Sequence, residues 1–436
     1  VSDALFGTTW KTVVVGTAGA GARSVFGLDV TNSASFSSDD VLWEVNDKIE
    51  GDVGNRIGYV LGKPLIVPVR GAGGRPVWKA IFGGGYGNRL NEATETLGTV
   101  TLFVVDMETG EVEYIDAKDT TVNAANGLGN VVAIDRYTYD STGKGYITGS
   151  DGMVDTVYGG DLQGNVWKFD LTAAGTKRVA FNGKPLFTAK DGTAETSARQ
   201  AITGGFEAAL GPRGGVMLLF GTGSFSFNGD KENKLVQTMY GVLDVPGDTS
   251  QPLTRANLQA QTMNADGVII STTVNYYEQR GWYLNLGVTA GGTFTGVGER
   301  VVGYPKIEGG ILYFTSYAPT AIDDCSGGGS NYLYGLSTLS GGGALGIVKV
   351  GDPNGTSLGE GKGRLGLTTD GSAPVKDVSV FTTGKQGGLT GNPDDAAITK
   401  YNELDPEYCM AIVSVAGGQP LYRVRPCGRQ SWRQIR

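Results

Sequence analysis

The sequence predicts an all-β fold of repeated small sheets, a β-propeller, and three observations carry that expectation. Glycine supplies 72 of 436 residues and proline only 15, with no G-X-Y period, so the glycines read as tight turns rather than collagen. Short apolar runs closed by glycine recur: TVVVGT (12–17), KAIFGGG (79–85), VMLLFGTG (216–223), ILYFTS (311–316) and MAIVSVAG (410–417). Runs this short and rich in Val, Ile and Phe read as buried strands. A second phrase also recurs, an apolar pair followed by Asp and a turn.

That phrase appears as FGLDVTN (26–32), LFVVDMETGE (102–111), VWKFDLTAAG (166–175), YGVLDVPG (240–247) and, with Ser for Asp, LYGLSTLSGG (333–342). It fits a strand that ends in a turn where Asp binds the turn backbone and Gly accepts positive φ. A four-stranded blade takes about 40 to 50 residues, and seven blades of about 60 use the whole chain. A β-sandwich is the alternative, at a length one sandwich rarely needs. Segments 186–206, 245–280 and 351–407 carry fewer apolar runs and read as insertions and long loops. ANLQAQTM (256–263) is the best short helix candidate.

Composition excludes several functions. Net charge is −8, which argues against nucleic acid, whose phosphates need a basic face. The basic cluster Arg423, Arg425, Arg429, Arg433 and Arg436 reads as a last strand with a solvated tail, or else a docking patch for an acidic partner. With no histidine in the chain, Ser-His-Asp and Cys-His catalysis and His-bearing zinc sites fall away. No P-loop occurs, and GTAGAGARS (16–24) and GGGYGNR (83–89) lack the dinucleotide spacing and read as strand-end turns. No apolar run approaches the roughly 18 residues of a spanning helix. Cys409 and Cys427 flank two β-like runs around a Gly-Gly turn, which predicts one disulfide in an exported protein and leaves Cys325 over. A chain starting at Val1 reads as a fragment or processed product.

One stretch carries candidate chemistry. DGMVDTVYGGDLQGNVWKFDL (151–171) holds two acids around a glycine, then a hairpin. The hairpin turns at Gln163 to Asn165, with Trp167 and Phe169 on one face by period two. In the acidic part, Asp151, the Met153 carbonyl and Asp155 offer the oxygen ligands calcium takes. Read as a nine-residue loop ending at Asp155, places three and one fall on Gly149 and Ile147, not on acids. Asp135 takes the first place if YTYDSTGKGYITGS bulges out as an insertion. The competing reading of Asp151-Gly152 is an ordinary hairpin turn.

The same stretch resembles the C-terminal domain of the PilY/PilC family of type IV pilus tip and biogenesis proteins, where an acidic D-x-D-x-D-G-x-x-D loop precedes YAGDLQGNLWRFDL. Other stretches resemble that domain in the same order: VFGLDV with VLWEV (25–45), NRIGYVLGKPLIV (55–67), FGGGYGN (82–88), LFVVDMETGE (102–111), LFGTGSF (219–225), GWYLNL with GERVV (281–302) and GRQSWRQI (428–435). The resemblance implies one modified seven-bladed β-propeller domain over 1–436, the C-terminal part of a larger protein. It implies display at the pilus tip or outer membrane of a Gram-negative bacterium, with minor pilins and host-cell or abiotic surfaces as partners, in pilus extension, twitching motility, adhesion and virulence. It implies Ca2+ at Asp135, Asp151, Met153 and Asp155, with no acid matching the third place. Some members carry Arg-Gly-Asp; here the nearest are RGA (70–72) and RGG (213–215). Two other readings stand beside it. A quinone-dependent dehydrogenase propeller shares the Asp-turn strands but needs a vicinal cysteine pair, which is absent. A carbohydrate-binding propeller would use exposed aromatics such as Tyr276, Tyr277 or Tyr332.

Overall fold

The computed structural model describes residues 1–90, 99–122, 124–139, 145–146, 149–172, 177–291, 293–320, 328–353, 355–383 and 408–426. The chain forms two compact units, the first chiefly Val1–Val216 with Asp244–Ala256, the second Met217–Leu243 with Asn257–Trp432. The all-β expectation holds in both: regular structure is overwhelmingly strand, and the helices among the described residues are single short turns.

The first unit stacks three sheets. Strands Ser2–Phe6, Thr9–Thr17, Ser24–Asp29 and Val41–Asn46 form an antiparallel meander in chain order. Leu65–Arg70, Pro76–Gly83, Thr99–Asp106 and Val112–Lys118 form a second. The third pairs Gly127–Ile134 with Thr156–Asp161, and that strand with Asn165–Asp170.

Alternation by two residues lets the second sheet serve two cores at once. Val67, Val69, Ile81, Leu102 and Val104 face the third sheet, where Leu128, Val157, Trp167 and Phe169 lie. Ile66, Ala80, Phe82, Phe103 and Val105 face the first, with Val13, Val25, Trp43 and Val45. A strand buried on both faces reads as a continuous apolar run, which is why LFVV and KAIF carry no polar alternation. The second unit repeats the pattern. Lys306–Glu308, Ile311–Thr320, Gly328–Ser337 and Arg364–Gly366 form one sheet, and Lys349–Val350, Leu421–Pro426, Tyr408–Val415 and Val378–Thr382 another. Ile311, Tyr313, Leu333, Val413 and Leu421 fill a shared core.

A glycine and a tryptophan recur as direct cross-strand partners. Gly27 pairs with Trp43 and Gly241 with Trp282. A Cβ on Gly27 would sit 2.6 Å from the Trp43 ring, and one on Gly241 2.5 Å from that of Trp282. The indole lies across the strand where only glycine leaves room.

The Asp turns form as expected at Asp29, Asp106 and Asp170, whose carboxylates accept amides two or three residues on. Asp244, the fourth of the set, departs: its carboxylate is buried among side chains described below. The helix expected over 256–263 is not there. Arg255–Asn257 make one 3-10 turn, and Gln259–Met263 is a strand whose residues Gln259 to Gln261 run parallel to Trp282 to Leu284. Sheet pairing outweighs the helical propensity of Gln and Ala. Cys409 is disulfide-bonded; Cys325 and Cys427 lie outside the described residues. So do Arg429, Arg433 and Arg436, whereas Arg423 bonds the Glu308 and Gly309 carbonyls and Arg425 pairs with Glu308 at 3.5 Å. No helix among the described residues is long and apolar enough to cross a membrane.

Candidate metal centre

The acidic residues sit at the neck of one long loop in the first unit. Gly127–Ile134 and Thr156–Asp161 are antiparallel, and Ile134 lies opposite Thr156. Asp135 therefore leaves the first strand directly beside Asp155, which enters the second; the Asp155 amide bonds the Ile134 carbonyl at 3.2 Å. Between them the chain makes a small hairpin, Thr138 opposite Tyr146 and Tyr139 opposite Gly145. The insertion expected after Asp135 is thus a side hairpin at its described base, and the chain returns so that Asp151 and Gly152 meet Asp135. Ile147 lies outside the described residues.

Each carboxylate has protein donors. Asp135 accepts the Asp151 amide at 3.2 Å and the Gly152 amide at 2.6 Å. Asp151 accepts the Met153 amide at 3.1 Å on Oδ1, while Oδ2 is ion-paired to the Arg70 guanidinium. Asp155 Oδ2 accepts the amides of Arg136 at 2.9 Å and Tyr137 at 2.7 Å, and Oδ1 accepts the Thr156 hydroxyl at 2.7 Å. Arg70 ends its strand at this place because Val69 bridges Val154, whose amide bonds the Pro68 carbonyl at 2.8 Å.

The electrostatics favour a cation. Burial pushes the Asp155 carboxyl up to about 6, against the pull of the Thr156 hydroxyl and two amides, and the charge of Asp135 pushes the same way. Burial also raises Asp135, with Asp151 adding to it, although two amides and Arg70 act in the other direction. Three carboxylates share one neck with one guanidinium, so negative charge there is under-compensated. The donor chemistry fits a hard cation: carboxylate oxygens and the Met153 carbonyl, which accepts no hydrogen bond from a described residue. Among the described residues no three acids close on a single point as a metal cluster.

Sequence reasoning missed what lies behind the neck. Arg136, whose amide caps Asp155, sends its guanidinium to Asp244 at 2.9 Å. Asp244 Oδ2 also takes Lys168 at 2.7 Å and the Tyr158 hydroxyl at 2.6 Å, and Lys168 lies between the Tyr158 and Phe181 rings. The hairpin that follows stands as expected, with Trp167 and Phe169 fully buried on one face. Its turn falls slightly earlier, because Asp161 accepts the Gln163 and Asn165 amides and Gly164 takes φ of 77°. Of the aromatics offered for carbohydrate, Tyr277 is 87% exposed, Tyr276 bonds the Leu339 carbonyl, and Tyr332 lies under Arg364.

The sequence and the fold match one known domain. The family described as the PilY1 beta-propeller domain matches residues 1–274. The chain belongs to that family. It is 34% identical, over its full length, to a type IV pilus biogenesis factor PilY1 homolog of Xylella fastidiosa, of which it covers 29%. It is 30% identical, again over its full length, to the type IV pilus biogenesis factor PilY1 of Pseudomonas aeruginosa, of which it covers 37%. The chain thus spans about a third of these relatives. The crystal structure of the Pseudomonas aeruginosa PilY1 C-terminal domain superposes with a TM-score of 0.68 at 25% identity, covering 98% of this chain and 83% of that one. These relatives are named as biogenesis factors.

Proposed function

We propose that the chain is the C-terminal domain, over 1–436, of a type IV pilus biogenesis and adhesion factor, that its sheets close as a modified seven-bladed propeller, and that the acidic neck is a calcium-responsive element within it. Membership of the PilY1 family is the observation that carries the pilus role. Display at the Gram-negative cell surface and contact with minor pilins and host or abiotic surfaces follow from the same kinship. The oxygen donor chemistry at one loop neck, carboxylates of Asp135, Asp151 and Asp155 with the Met153 carbonyl, supports the calcium part. Asp135, Asp151, the Met153 carbonyl and Asp155 would hold the ion, which would supply the charge the neck lacks.

A ligand that binds only the folded chain raises its melting temperature by mass action. Adding calcium from micromolar to ten-millimolar should therefore raise the melting temperature of the wild type, and Asp155→Ala should remove the shift. A melting curve indifferent to calcium would remove the calcium part. A shift that survives Asp155→Ala would place the ion elsewhere. Loss of pili or twitching on deletion of the gene, restored by the full-length protein and not by one lacking this domain, tests the pilus role separately.

A further inference from the structure

We propose that Asn228 is a site of spontaneous covalent modification: its side-chain amide is lost to attack by the Gly229 backbone nitrogen, and the loop that carries the pair opens as the protein ages. The site shares no residue with the acidic neck.

Asparagine followed by glycine is the pair in which this chemistry is least hindered, because glycine sets no side chain beside the attacking nitrogen. The sequence holds four such pairs, beginning at Asn126, Asn182, Asn228 and Asn354, and the structure separates them. Asn126 is 1% exposed; its Oδ1 accepts the Gly127 and Leu162 amides and its Nδ2 donates to Asp161, so the side chain is locked. Asn182 is exposed but has φ of 54° and ψ of 41°, which turns the Gly183 nitrogen anti to the Asn182 Cβ and away from the side-chain carbonyl. The Gly355 amide donates to the Asp352 carbonyl at 2.9 Å, and Asn354 lies outside the described residues. Asn228 and Gly229 stand at the exposed tip of a turn closed by the Asp230 amide on the Phe227 carbonyl at 3.2 Å. Among the described residues neither the Asn228 side chain nor the Gly229 amide makes a hydrogen bond, and a Cβ on Gly229 would meet nothing within 4 Å. The reacting groups are therefore free, while Arg300 grips the loop on either side of them through the Ser224, Asp230 and Asn233 carbonyls.

The reaction needs only water. The Gly229 nitrogen attacks the Asn228 side-chain carbon; that C–N bond forms, the bond to Nδ2 breaks, and Nδ2 leaves as ammonia with the proton the backbone nitrogen gives up. Water then opens the cyclic imide at one of its two carbonyls, giving aspartate or, where the main chain is rerouted through the side chain, isoaspartate. Either product adds a negative charge to a loop that already carries Asp230 and Glu232. The isoaspartyl product also lengthens the main chain by a methylene inside the turn, where the Asp230 carboxylate holds the Ser226 and Phe227 amides at 2.8 Å. The modified turn loses these bonds and opens at the cleft lined by Phe225 and Phe227.

The test is peptide mapping by mass spectrometry of the 1–436 chain aged at mildly alkaline pH, once folded and once in guanidinium chloride. In the folded chain the Asn228 peptide should gain the mass of amide-to-acid exchange at least about tenfold faster than the Asn182 peptide of the same digest, since only the free pair reaches the reacting geometry. In guanidinium the two should react at similar rates. A folded-state rate at Asn228 no faster than at Asn182, or a preference for Asn228 that persists unchanged in guanidinium, would overturn the proposal. Asn228→Gln, whose longer side chain cyclises far more slowly, tests the consequence. Aged wild type should be cut within 225–232 faster than fresh wild type, and the aged variant no faster than the fresh one. Equal acceleration in the variant would overturn the claim that the modification opens the loop.

Discussion

The Arg136 guanidinium meets the Asp244 carboxylate at 2.9 Å, with the two side chains 4% and 0% exposed. That pair joins the loop neck to the interior of the first unit, since the backbone of the same Arg136 caps Asp155. Lys168 and the Tyr158 hydroxyl share the carboxylate. Removing Asp244 would leave a buried arginine and a largely buried lysine without their counter-charge. Asp244→Ala should cost about 3–5 kcal/mol, the range for breaking a buried pair from one side. Arg178→Ala, at an exposed pair with Asp170, should cost less than about 1 kcal/mol. Urea unfolding of both variants checks the contrast.

Asp155 gives a pH dependence with a defined sign. Burial pushes its folded carboxyl up to about 6, from the ordinary 3.8 of a free aspartate. The folded chain therefore holds a proton there that the unfolded chain has released. The stability this contributes is full below about 3.8 and is lost as pH rises through about 6. Asp155→Asn should remove that slope, so the stability difference between variant and wild type shifts in favour of the variant by about 2 kcal/mol from pH 4 to pH 7. Denaturation of both proteins across that window, without calcium, is the measurement. Calcium affinity should rise over the same interval, as the ion ceases to compete with a proton.

The glycine–tryptophan pairs predict a steric cost. Gly241→Ala would drive a methyl to 2.5 Å from the Trp282 ring, and Trp282 is fully buried with Nε1 bonded to the Thr338 carbonyl at 2.9 Å. Overpacking of this kind costs about 1–3 kcal/mol. Gly310→Ala has open space around its Cβ but φ of 79°, and should cost about 1 kcal/mol through backbone strain alone. Tryptophan fluorescence of the folded state should change in the first variant and not in the second.

In the second unit Arg300 clips a loop. It is buried and donates to the carbonyls of Gly298, Ser224, Asp230 and Asn233, and the segment between them lines an open cleft at Phe225, Phe227 and Asp230. Arg300→Ala should release this segment, and limited proteolysis should cut within 225–232 at least several times faster than in wild type. An unchanged cleavage pattern would mean the loop is held by Asp230, which accepts the Ser226 and Phe227 amides.

Much of this was legible in sequence, for identifiable reasons. The doubly buried strands announced themselves as unbroken apolar runs, and Asp29, Asp106 and Asp170 as turn residues, because both signals are local. The pairing of Gly27 with Trp43 was not readable, although Gly27 lies in a recurring phrase, since register is a property of two strands. Gln259–Met263 looked helical because the partner strand that makes it extended lies some twenty residues on. At the neck, Asp135 could be joined to Asp151 and Asp155 by allowing one insertion. Arg70 and Asp244 could not, for they come from strands distant in sequence, and the phrase around Asp244 marked it as a turn residue instead.

The central proposal is that the neck formed by Asp135, Asp151 and Asp155 takes a hard cation. Crystals of the 1–436 chain grown in ten-millimolar calcium, with anomalous differences measured, test it most directly. The account predicts a peak within about 2.3–2.6 Å of oxygens from Asp135, Asp151, Met153 and Asp155. A map with no peak at the neck would contradict it.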